Sequence, residues 1–408
     1  MANNNENKIL NVPNLRFPEF TGEWKQSLLK EYLVENKERN TKGVFSKAEV
    51  LSVSGDKGIV NQIELLGRSY AGQSVLPYHI VRRNNIVYTK SPLSEFPYGI
   101  VKMNRGNDGI VSTLYAVYSV QETAYPSFIE YYFASKDRTN RYFKPIVRIG
   151  AKHDMKIGNG EVLANMVRFP SIKEQRRISE FLELIDKRIA TQNKIIDKLQ
   201  SLISGLNDFL HLQVGGLSTS FEELGTSYSG LLGKSGDDFG KGKPYITYLN
   251  IYSNSIVNEE QVDYVIIGDN EKQNTLLYGD LLFTLSSETP DEVGIGAVYL
   301  GESDKYYLNS FCFGLHMTAT NKVYSPYLAY LVSNSIFRKF IYPLAQGSTR
   351  FNLQKNDFMK KKFLLPTFEN QKEIARTLNA LSSKLETDRK LLLNYQEQKQ
   401  YLLGAMFI

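Results

Sequence analysis

The sequence predicts an α+β fold in which two globular regions are each followed by a long helix. One helical pattern occurs twice, since it follows Pro170 and again Pro366, which are 196 residues apart (366 − 170 = 196). The regions that precede the two helices alternate short β-rich runs with turn signals, which is typical of mixed domains. A repeat of this length is far longer than the roughly 20–50 residues of a solenoid unit, so it indicates two similar halves.

The two helical copies share their apolar positions. In each copy the spacing alternates four and three residues, which is the seam of a coiled coil. Gln192 and Asp388 put a polar side chain at the same seam position, and such a residue can fix the register of a helix pair. The predicted helix-pairing positions, given as matched residues of the two copies, are Ile178 and Ile374, Leu182 and Leu378, Ile185 and Leu381, Ile189 and Leu385, Ile196 and Leu392, and Leu199 and Tyr395.

The matched seams divide the chain into four predicted segments. Residues 1–166 form the first head, residues 167–210 the central long helix, residues 211–366 the second head, and residues 367–408 the C-terminal long helix. A one-sided apolar helix of about 35–40 residues is poorly satisfied alone in water, so we expect the two copies to pair with each other. The alternative is two unrelated amphipathic helices, each packed on its own head.

Several elements of the first head can be predicted individually. Trp24 is the only tryptophan of the chain, and we expect it in the core. Residues 126–135 predict a helix with proline in its first turn. Three β-rich runs predict strands at residues 85–89, 109–120 and 145–149.

The second head repeats this plan with different side chains. The matched stretches are 281–287 with 86–92, 308–315 with 111–118, 325–328 with 125–128, and 347–350 with 150–153. A shared scaffold with divergent surfaces predicts two regions that recognise different targets. An ordinary gene duplication with drift is the alternative.

Composition narrows the class of protein. The chain has 408 residues and a pI near 8.9, its start is too polar for a signal peptide, and no run of about 18 apolar residues predicts a membrane span. Cys312 is the single cysteine, which excludes a disulfide framework, and we expect a cytoplasmic protein. By count, residues 14–166 hold 21 Lys and Arg against 15 Asp and Glu, a basic balance that fits a polyanionic partner or a solvated surface.

Catalytic patterns are weak throughout the sequence. Gly233-Lys234-Ser235 resembles the end of a phosphate-binding loop, but Tyr228 stands where that loop needs its first glycine. Asp137 followed by Asp154 and Lys156 fits a metal-dependent nuclease only loosely. The four histidines, which show no metal-ligand spacing, are His79, His153, His211 and His316. The sequence therefore predicts binding surfaces, no metal site and no catalytic residues.

Four stretches carry a resemblance to a known family. They are NLRFPEFTGEW near the start, YSGLLGKSGDDFGKGKPYITYLNIYSN at 228–254, QGSTRFNLQKNDF at 346–358, and a P-x-x-x-x-Q-x-x-I run that begins at Pro170 and again at Pro366. Together they resemble the specificity subunit of type I restriction-modification systems. The first head departs most from this pattern, because it has GAKH where the second has GSTR and lacks the YSGL to YITYLNI stretch.

The resemblance implies a DNA-reading subunit without catalysis of its own. Each head would be a target recognition domain, and the two helices would pair as an antiparallel coiled coil with pseudo-two-fold symmetry. They would dock two methyltransferase subunits, which restriction subunits with motor and nuclease activity would join. The implied cofactors, S-adenosylmethionine, ATP and magnesium, belong to these partners, and none belongs to this chain. The implied ligand is double-stranded DNA with an asymmetric, bipartite site.

Base-edge chemistry selects candidate DNA-binding residues, since arginine can bond guanine bidentately and asparagine or glutamine can bond adenine. The candidates in the second head are Ser348, Thr349, Arg350, Asn352, Gln354 and Lys355, and those in the first head are Lys152, His153, Arg82, Arg83 and Lys90. Each could instead be a solvated loop residue. Two rival functions remain open, a stand-alone nucleic-acid enzyme and a protein–protein scaffold.

Overall fold

A computed structural model describes residues 11–93, 95–149 and 155–408 of the chain. These residues form two compact units. The first unit consists of Met1–Gln192 with Leu391–Ile408, and the second of Asn193–Lys390. Each unit therefore holds one head together with part of each long helix. The four-segment division of the sequence rests on other criteria and stays a prediction.

The first unit begins with short strands and helices that form the first head. Its strands are β1 (Lys25–Leu28), β2 (Leu33–Glu35), β3 (Leu51–Ser54), β4 (Gly58–Asn61), β5 (His79–Val81), β6 (Ile86–Thr89), β7 (Val101–Met103), β8 (Gly109–Val111), β9 (Tyr115–Val120), β10 (Arg148–Ile149), β11 (Met155–Lys156) and β12 (Met166–Phe169). Its helices are α1 (Gln62–Leu66), α2 (Pro126–Tyr132) and α3 (Lys136–Phe143), and they precede the long helix α4 (Ile172–Val214).

The second head has a similar composition of elements. Its strands are β13 (Leu217–Thr219), β14 (Gly225–Ser229), β15 (Phe239–Ile246), β16 (Val262–Val265), β17 (Leu281–Thr284), β18 (Ser286–Ser287), β19 (Gly296–Val298), β20 (Tyr307–Leu308), β21 (Cys312–Met317), β22 (Ala345–Gln346), β23 (Phe351–Leu353) and β24 (Phe363–Leu365). Its helices are α5 (Phe221–Leu224), α6 (Tyr248–Ser253), α7 (Ser325–Ser333), α8 (Ser335–Ile341) and α9 (Lys355–Lys360), followed by the long helix α10 (Phe368–Ala405).

Both heads are built on one antiparallel sheet of the same strand order. The order is β2-β9-β6-β7 in the first head and β14-β21-β17-β19 in the second. The register agrees as well, because Ile86 lies opposite Tyr118 and Leu281 lies opposite Leu315. Strands β6 and β17 are buried along their whole length, as their continuous apolar runs predict. The predicted α+β class and the shared scaffold are confirmed.

The sheets differ in what the chain inserts between their strands. Residues 36–85 separate β2 from β6 and contain the β3–β4 hairpin, α1 and β5. Residues 230–280 separate β14 from β17 and contain β15, α6 and β16, with β15 also pairing β20. We call these two segments the first insert and the second insert. The heads thus share a scaffold and carry different additions to it.

A second pairing closes each head just before its long helix. Strand β1 pairs β12, with Lys25 opposite Phe169, and β13 pairs β24, with Leu217 opposite Leu365. The chain can then enter α4 or α10 only after a proline, which cannot donate a backbone hydrogen bond to a strand and tends to end it. This arrangement explains why Pro170 and Pro366 occupy matching positions.

The glutamine that follows each proline by five residues joins the helix to its head. The amide of Gln175 accepts a hydrogen bond from the Tyr125 N–H (2.9 Å) and donates to the carbonyls of Thr123 and Pro170. Both Gln175 and its counterpart Gln371 are fully buried. A buried amide must satisfy all of its hydrogen-bonding atoms, so glutamine is fixed at this position by the backbone groups around it.

Gln371 makes the equivalent three bonds in the second unit. Its Oε1 accepts from the Tyr324 N–H (2.8 Å), and its Nε2 donates to the carbonyls of Lys322 (2.9 Å) and Pro366 (2.8 Å). The P-x-x-x-x-Q pattern of the sequence is therefore a structural joint between a head and its helix.

The long helices pack together, and their direction follows from the two cores. In the first unit the early α4 residues Ile178 and Leu182 share a core with Leu402 and Phe407, near the end of α10. In the second unit the late α4 residue Leu206 packs on a core that contains Leu378, near the start of α10. Because early residues of one helix accompany late residues of the other, the helices run antiparallel, as predicted.

Three local predictions for the first head need correction. Of the strand predicted over residues 145–149 only β10 (Arg148–Ile149) forms, because residues 144–146 are a turn after α3. The helix predicted over residues 126–135 ends at Tyr132, and α3 begins separately at Lys136. The strand predicted over residues 109–120 is two strands, β8 and β9, because a turn at residues 112–114 redirects the chain between them. The predicted burial of Trp24 is confirmed, and its indole N–H donates to Glu174. Among the described residues, no helix is both long and apolar enough to cross a membrane.

Candidate nucleic-acid interface

A broad cleft lies on the second head, at the place where the insert, the central sheet and a late hairpin meet. Its volume is about 860 Å³. The residues that line it are Tyr248, Leu249, Tyr252, Ser286, Ser287, Glu288, Glu292, Phe311, Thr349 and Arg350. The lining combines aromatic rings, hydroxyl groups and charges of both signs, which are the groups that contact nucleic-acid bases and backbones.

The loop that carries Arg350 connects β22 to β23 and is shaped by a glycine. Gly347 has a φ of +144°, and a Cβ there would lie 2.0 Å from the carbonyl oxygen of Arg350. Strand β23 also pairs β18, with Asn352 opposite Ser286, so the hairpin is fixed to the cleft floor. A residue larger than glycine at position 347 would force this hairpin open.

Arg350 is positioned against an exposed aromatic ring. Its guanidinium carbon lies 5.7 Å from the ring centre of Phe311, and 56% of Phe311 is exposed. Leu249, another cleft residue, is 66% exposed. Large apolar side chains that stand open beside a cation at the rim of a cleft are typical of a surface that binds a partner.

The acidic side of the cleft is partly organised by hydrogen bonds. Glu292 accepts from the hydroxyl of Tyr252 (2.7 Å) and from that of Ser287 (3.0 Å), and these bonds hold its pKa below the usual value. Glu288 is exposed on the same side. The cleft therefore presents a cation and two carboxylates.

The other predicted residues of the second head lie near this hairpin but differ in exposure. Ser348, Thr349 and Asn352 are exposed. Gln354 is half-buried and precedes α9. The ammonium of Lys355 lies 5.1 Å from the ring centre of the buried Phe313, and burial lowers the pKa of Lys355. Lys355 thus packs against the core, whereas the loop residues face solvent.

The predicted residues of the first head are less concentrated. The guanidinium of Arg82 pairs with Glu38 (2.7 Å) and Asp108 (3.3 Å), and its hydrogen bond to Glu38 raises its pKa. The backbone N–H of Arg83 donates to Asp108. Lys90 is half-buried, and burial lowers its pKa. Lys152 and His153 lie outside the described residues, so the match of their loop to that of Arg350 stays a prediction.

Residues 226–395 match the family described as the type I restriction modification DNA specificity domain. This part of the chain is therefore similar to a type I specificity domain. The resemblance inferred from the sequence is confirmed, and this match spans the cleft, the hairpin of Arg350 and most of α10.

Two solved structures are similar to this chain in fold over almost its whole length. One is the S subunit of a type I restriction-modification system from M. genitalium, with 15% identity, a TM-score of 0.53, and coverage of 97% of this chain and 99% of that one. The other comes from work on complex assembly and conformational transition of the type I R-M system, with 14% identity, a TM-score of 0.56, and coverage of 93% and 96%. At these identities the likeness concerns the fold.

None of the predicted helix-pairing positions is fully exposed. Buried members are Ile178, Leu182, Ile185, Ile196, Ile374, Leu378 and Leu385, and half-buried members are Ile189, Leu199, Leu381, Leu392 and Tyr395. The polar seam residues Gln192 and Asp388 are buried as well. Residues Ile178, Leu182 and Ile185 contact the core of the first head in addition to the end of α10. These three predicted seam positions thus pack against the first head, which the spacing alone did not indicate.

Sequence reasoning missed several exposed residues of the specificity fold. In the second head these are Leu249, Glu288 and Phe311, which lie on three separate segments and meet only in the folded cleft. In the first head the guanidinium of Arg68 lies 4.6 Å from the ring centre of Tyr70, which is 58% exposed. The sequence signal for Arg68 and Tyr70 was their occurrence together in a short segment between two glycines.

Each histidine among the described residues is buried or hydrogen-bonded to neighbouring groups of the fold. His79 is buried, and this burial lowers its pKa to about 4. His211 bonds the Asn207 carbonyl and the Tyr327 hydroxyl, and His316 bonds Asp280. In the part of the chain that the structure describes, no three histidine, cysteine or acidic side chains are grouped so that they could hold a metal ion.

Proposed function

We propose that this chain is the specificity subunit of a type I restriction-modification complex and reads an asymmetric, bipartite site in double-stranded DNA. The observation that carries the proposal is the pair of heads with one scaffold and different inserts. Because the two scaffolds are alike, both heads would lie on a duplex in the same orientation. Because the inserts differ, each head would contact different bases. Two unlike half-sites follow from that arrangement.

The Arg350 hairpin is the proposed DNA-contacting part of the second head. Its exposed residues Ser348, Thr349, Arg350 and Asn352 supply donors for phosphates and base edges. In the first head the proposed DNA-contacting segment is the first insert, where Arg68 stacks on Tyr70. Arginine that is pre-oriented on an aromatic ring loses little conformational freedom on binding.

The long helices are the proposed docking sites for two methyltransferase subunits. Apolar residues that are exposed on them are Leu184, Ile195, Leu202, Phe209 and Leu212 on α4, and Leu391, Leu393 and Tyr401 on α10. Exposed apolar residues in such number favour contact with a protein partner. The same residues would also suit a scaffold that binds no DNA. The proposed DNA binding therefore needs a separate test.

Catalysis is assigned to the partners in this proposal. The methyltransferase subunits would bind S-adenosylmethionine, and the restriction subunits would bind ATP and magnesium. This chain would contribute sequence recognition and assembly, with no cofactor of its own. A stand-alone nucleic-acid enzyme is the rival, and turnover of duplex DNA by the purified chain alone would support it.

The test is the affinity of the assembled methyltransferase complex for its methylated site and for single-mismatch duplexes, at two salt concentrations. If Arg350 reads a base, Arg350→Ala should weaken binding to the preferred site by roughly 1–3 kcal/mol and relax one position. If Arg350 contacts only phosphate, binding should weaken equally for all duplexes. The slope of log affinity against log salt concentration should then become shallower by about one.

Lys322→Ala is the matched control, because Lys322 is an exposed cation of the same head that lies outside both the cleft lining and the second insert. It should leave discrimination among the duplexes unchanged. A parent complex that binds every duplex equally would refute the reading function and favour the scaffold. Arg350→Ala binding identical to the parent would remove the hairpin from the interface.

A further inference from the structure

The cleft of the second head has a charge arrangement that is unsuited to a phosphate group. Among the described residues that line it, Arg350 is the one cation, whereas Glu288 and Glu292 are carboxylates. A phosphodiester in the cleft would be attracted to the arginine and repelled by both acids. A neutral ligand that presents hydrogen-bond acceptors to Arg350 and donors to a carboxylate avoids this conflict.

The two carboxylates are not equivalent. Glu292 already accepts hydrogen bonds from Tyr252 and Ser287, so its oxygens are largely satisfied within the protein. Glu288 is exposed, lines the same cleft, and is engaged in none of the hydrogen bonds seen within the described residues. Glu288 is therefore the acceptor that is open to a ligand.

The apolar part of the cleft orients the arginine. Phe311 lies beneath the Arg350 guanidinium, and the exposed Leu249 lines the same cleft. A ring under a guanidinium plane leaves its N–H donors pointing outward at the edges. Apolar walls also exclude water, which strengthens hydrogen bonds made inside the cleft.

We infer that this cleft reads one G·C base pair of the second half-site. Arg350 donates to O6 and N7 of the guanine, Glu288 accepts from the N4 amino group of the cytosine, and Phe311 supports the arginine from below. The inference rests on the proposed DNA-reading function and assigns it a base pair. The other pairs fit worse, because adenine presents a donor beside N7 and thymine offers the carboxylate no amino group.

The experiment uses the assembled methyltransferase complex and base analogues. The second half-site is first identified as the half that changes when residues 211–366 are exchanged for another subunit's head. Each of its guanines is then replaced singly by 7-deazaguanine, which lacks N7, and each cytosine singly by 2-pyrimidinone, which lacks the amino group. Binding affinities are measured for the parent complex and for Arg350→Ala, Glu288→Ala and Glu302→Ala complexes.

At one base pair both analogues should weaken binding of the parent complex by about 5- to 150-fold, the range expected for loss of a bidentate or amino contact. The 7-deazaguanine effect should vanish in Arg350→Ala, and the 2-pyrimidinone effect should vanish in Glu288→Ala. Glu302→Ala removes an exposed carboxylate outside the cleft lining and should keep both effects.

A half-site that is read specifically but contains no G·C pair would overturn the inference and leave the proposed function standing. Equal analogue effects in parent and variants would do the same. A parent complex that does not distinguish its site from mismatched duplexes would instead refute the proposed function, and the base-pair assignment with it.

Discussion

The two units build the same joint between head and helix but surround it with different chemistry. Gln175 and Gln371 make matching sets of three hydrogen bonds. Nearby, the hydroxyl of Tyr131 donates to the carboxylate of Asp186 (2.6 Å), whereas that of Tyr330 donates to the amide of Asn379 (2.5 Å). The residue that bonds buried backbone groups is the same in both units. The residues that bond other side chains differ between the units.

The divergence is a change from ionic to neutral contacts. In the first unit Asp186 also pairs with Lys399 (2.6 Å), and Arg105 pairs with Glu130 and Glu183. Burial and the neighbouring carboxylate raise the pKa of Tyr131. In the second unit a cleft beside Tyr330 is lined by the uncharged side chains of Tyr330, Asn379 and Ser382 at the equivalent position. The same fold therefore tolerates either set of interactions.

The seam should show the largest difference between the units. Ile185 is 4% exposed within the first core, whereas its counterpart Leu381 is half-buried. Ile185→Asp should destabilise the first unit by about 4 kcal/mol, because it buries a charge and opens a cavity, and Leu381→Asp should cost about half as much. Hydrogen exchange followed separately in each unit measures both values.

Leu184→Asp is the control for this pair, since Leu184 lies next to Ile185 on α4 but is exposed. It should change hydrogen exchange little. Variants at 185 and 381 that assemble with methyltransferase subunits and exchange as the parent does would show that the seam is misassigned.

The joint itself should be equally important in both units. Gln175→Ala and Gln371→Ala each leave an N–H and two carbonyls without their partner, so each should destabilise its own head by about 3 kcal/mol. Gln→Glu should not rescue either position, because an ionised carboxylate cannot donate to the two carbonyls. Gln73→Ala, at an exposed site of the first insert, serves as the control.

Hydrogen exchange resolved by segment again provides the measurement. The expected result is faster exchange confined to the head that carries the substitution. If one of the two substitutions destabilises its head by less than half as much as the other, the two joints are not equivalent and the comparison fails.

The tyrosines should show the smallest and most diagnostic difference. Tyr131→Phe removes a hydrogen bond to a carboxylate, which is worth about 2 kcal/mol, and Tyr330→Phe removes one to a neutral amide, worth about 1 kcal/mol. High salt should reduce the first loss and leave the second nearly unchanged, since salt screens only the charged network. If salt changed the loss of stability equally in both variants, the contacts around Tyr131 would not be ionic as described.

How much of this the sequence predicted depends on whether the contacts were local. The periodic spacing of Ile178, Leu182 and Ile185 predicted α4, and short β-rich runs predicted β6 and β17, because both patterns lie within one element. The role of Gln175 was not predicted, since its partners Thr123 and Tyr125 lie about 50 residues away. Arg350 was predicted as a DNA contact from its loop, but its contact with Phe311 joins two segments that are distant in the sequence, which spacing does not reveal.

The central claim is that the two heads read DNA independently, and exchange of one head tests it most directly. Residues 211–366 would be replaced by the second head of another type I specificity subunit, and methylated adenines would be mapped by single-molecule sequencing in a host that carries the complex. Because the scaffold sheet and the glutamine joint are shared, the exchanged head should fold and dock in the same way. We expect one half of the methylated site to change and the other to stay the same, and a change in both halves, or in neither, would contradict the account.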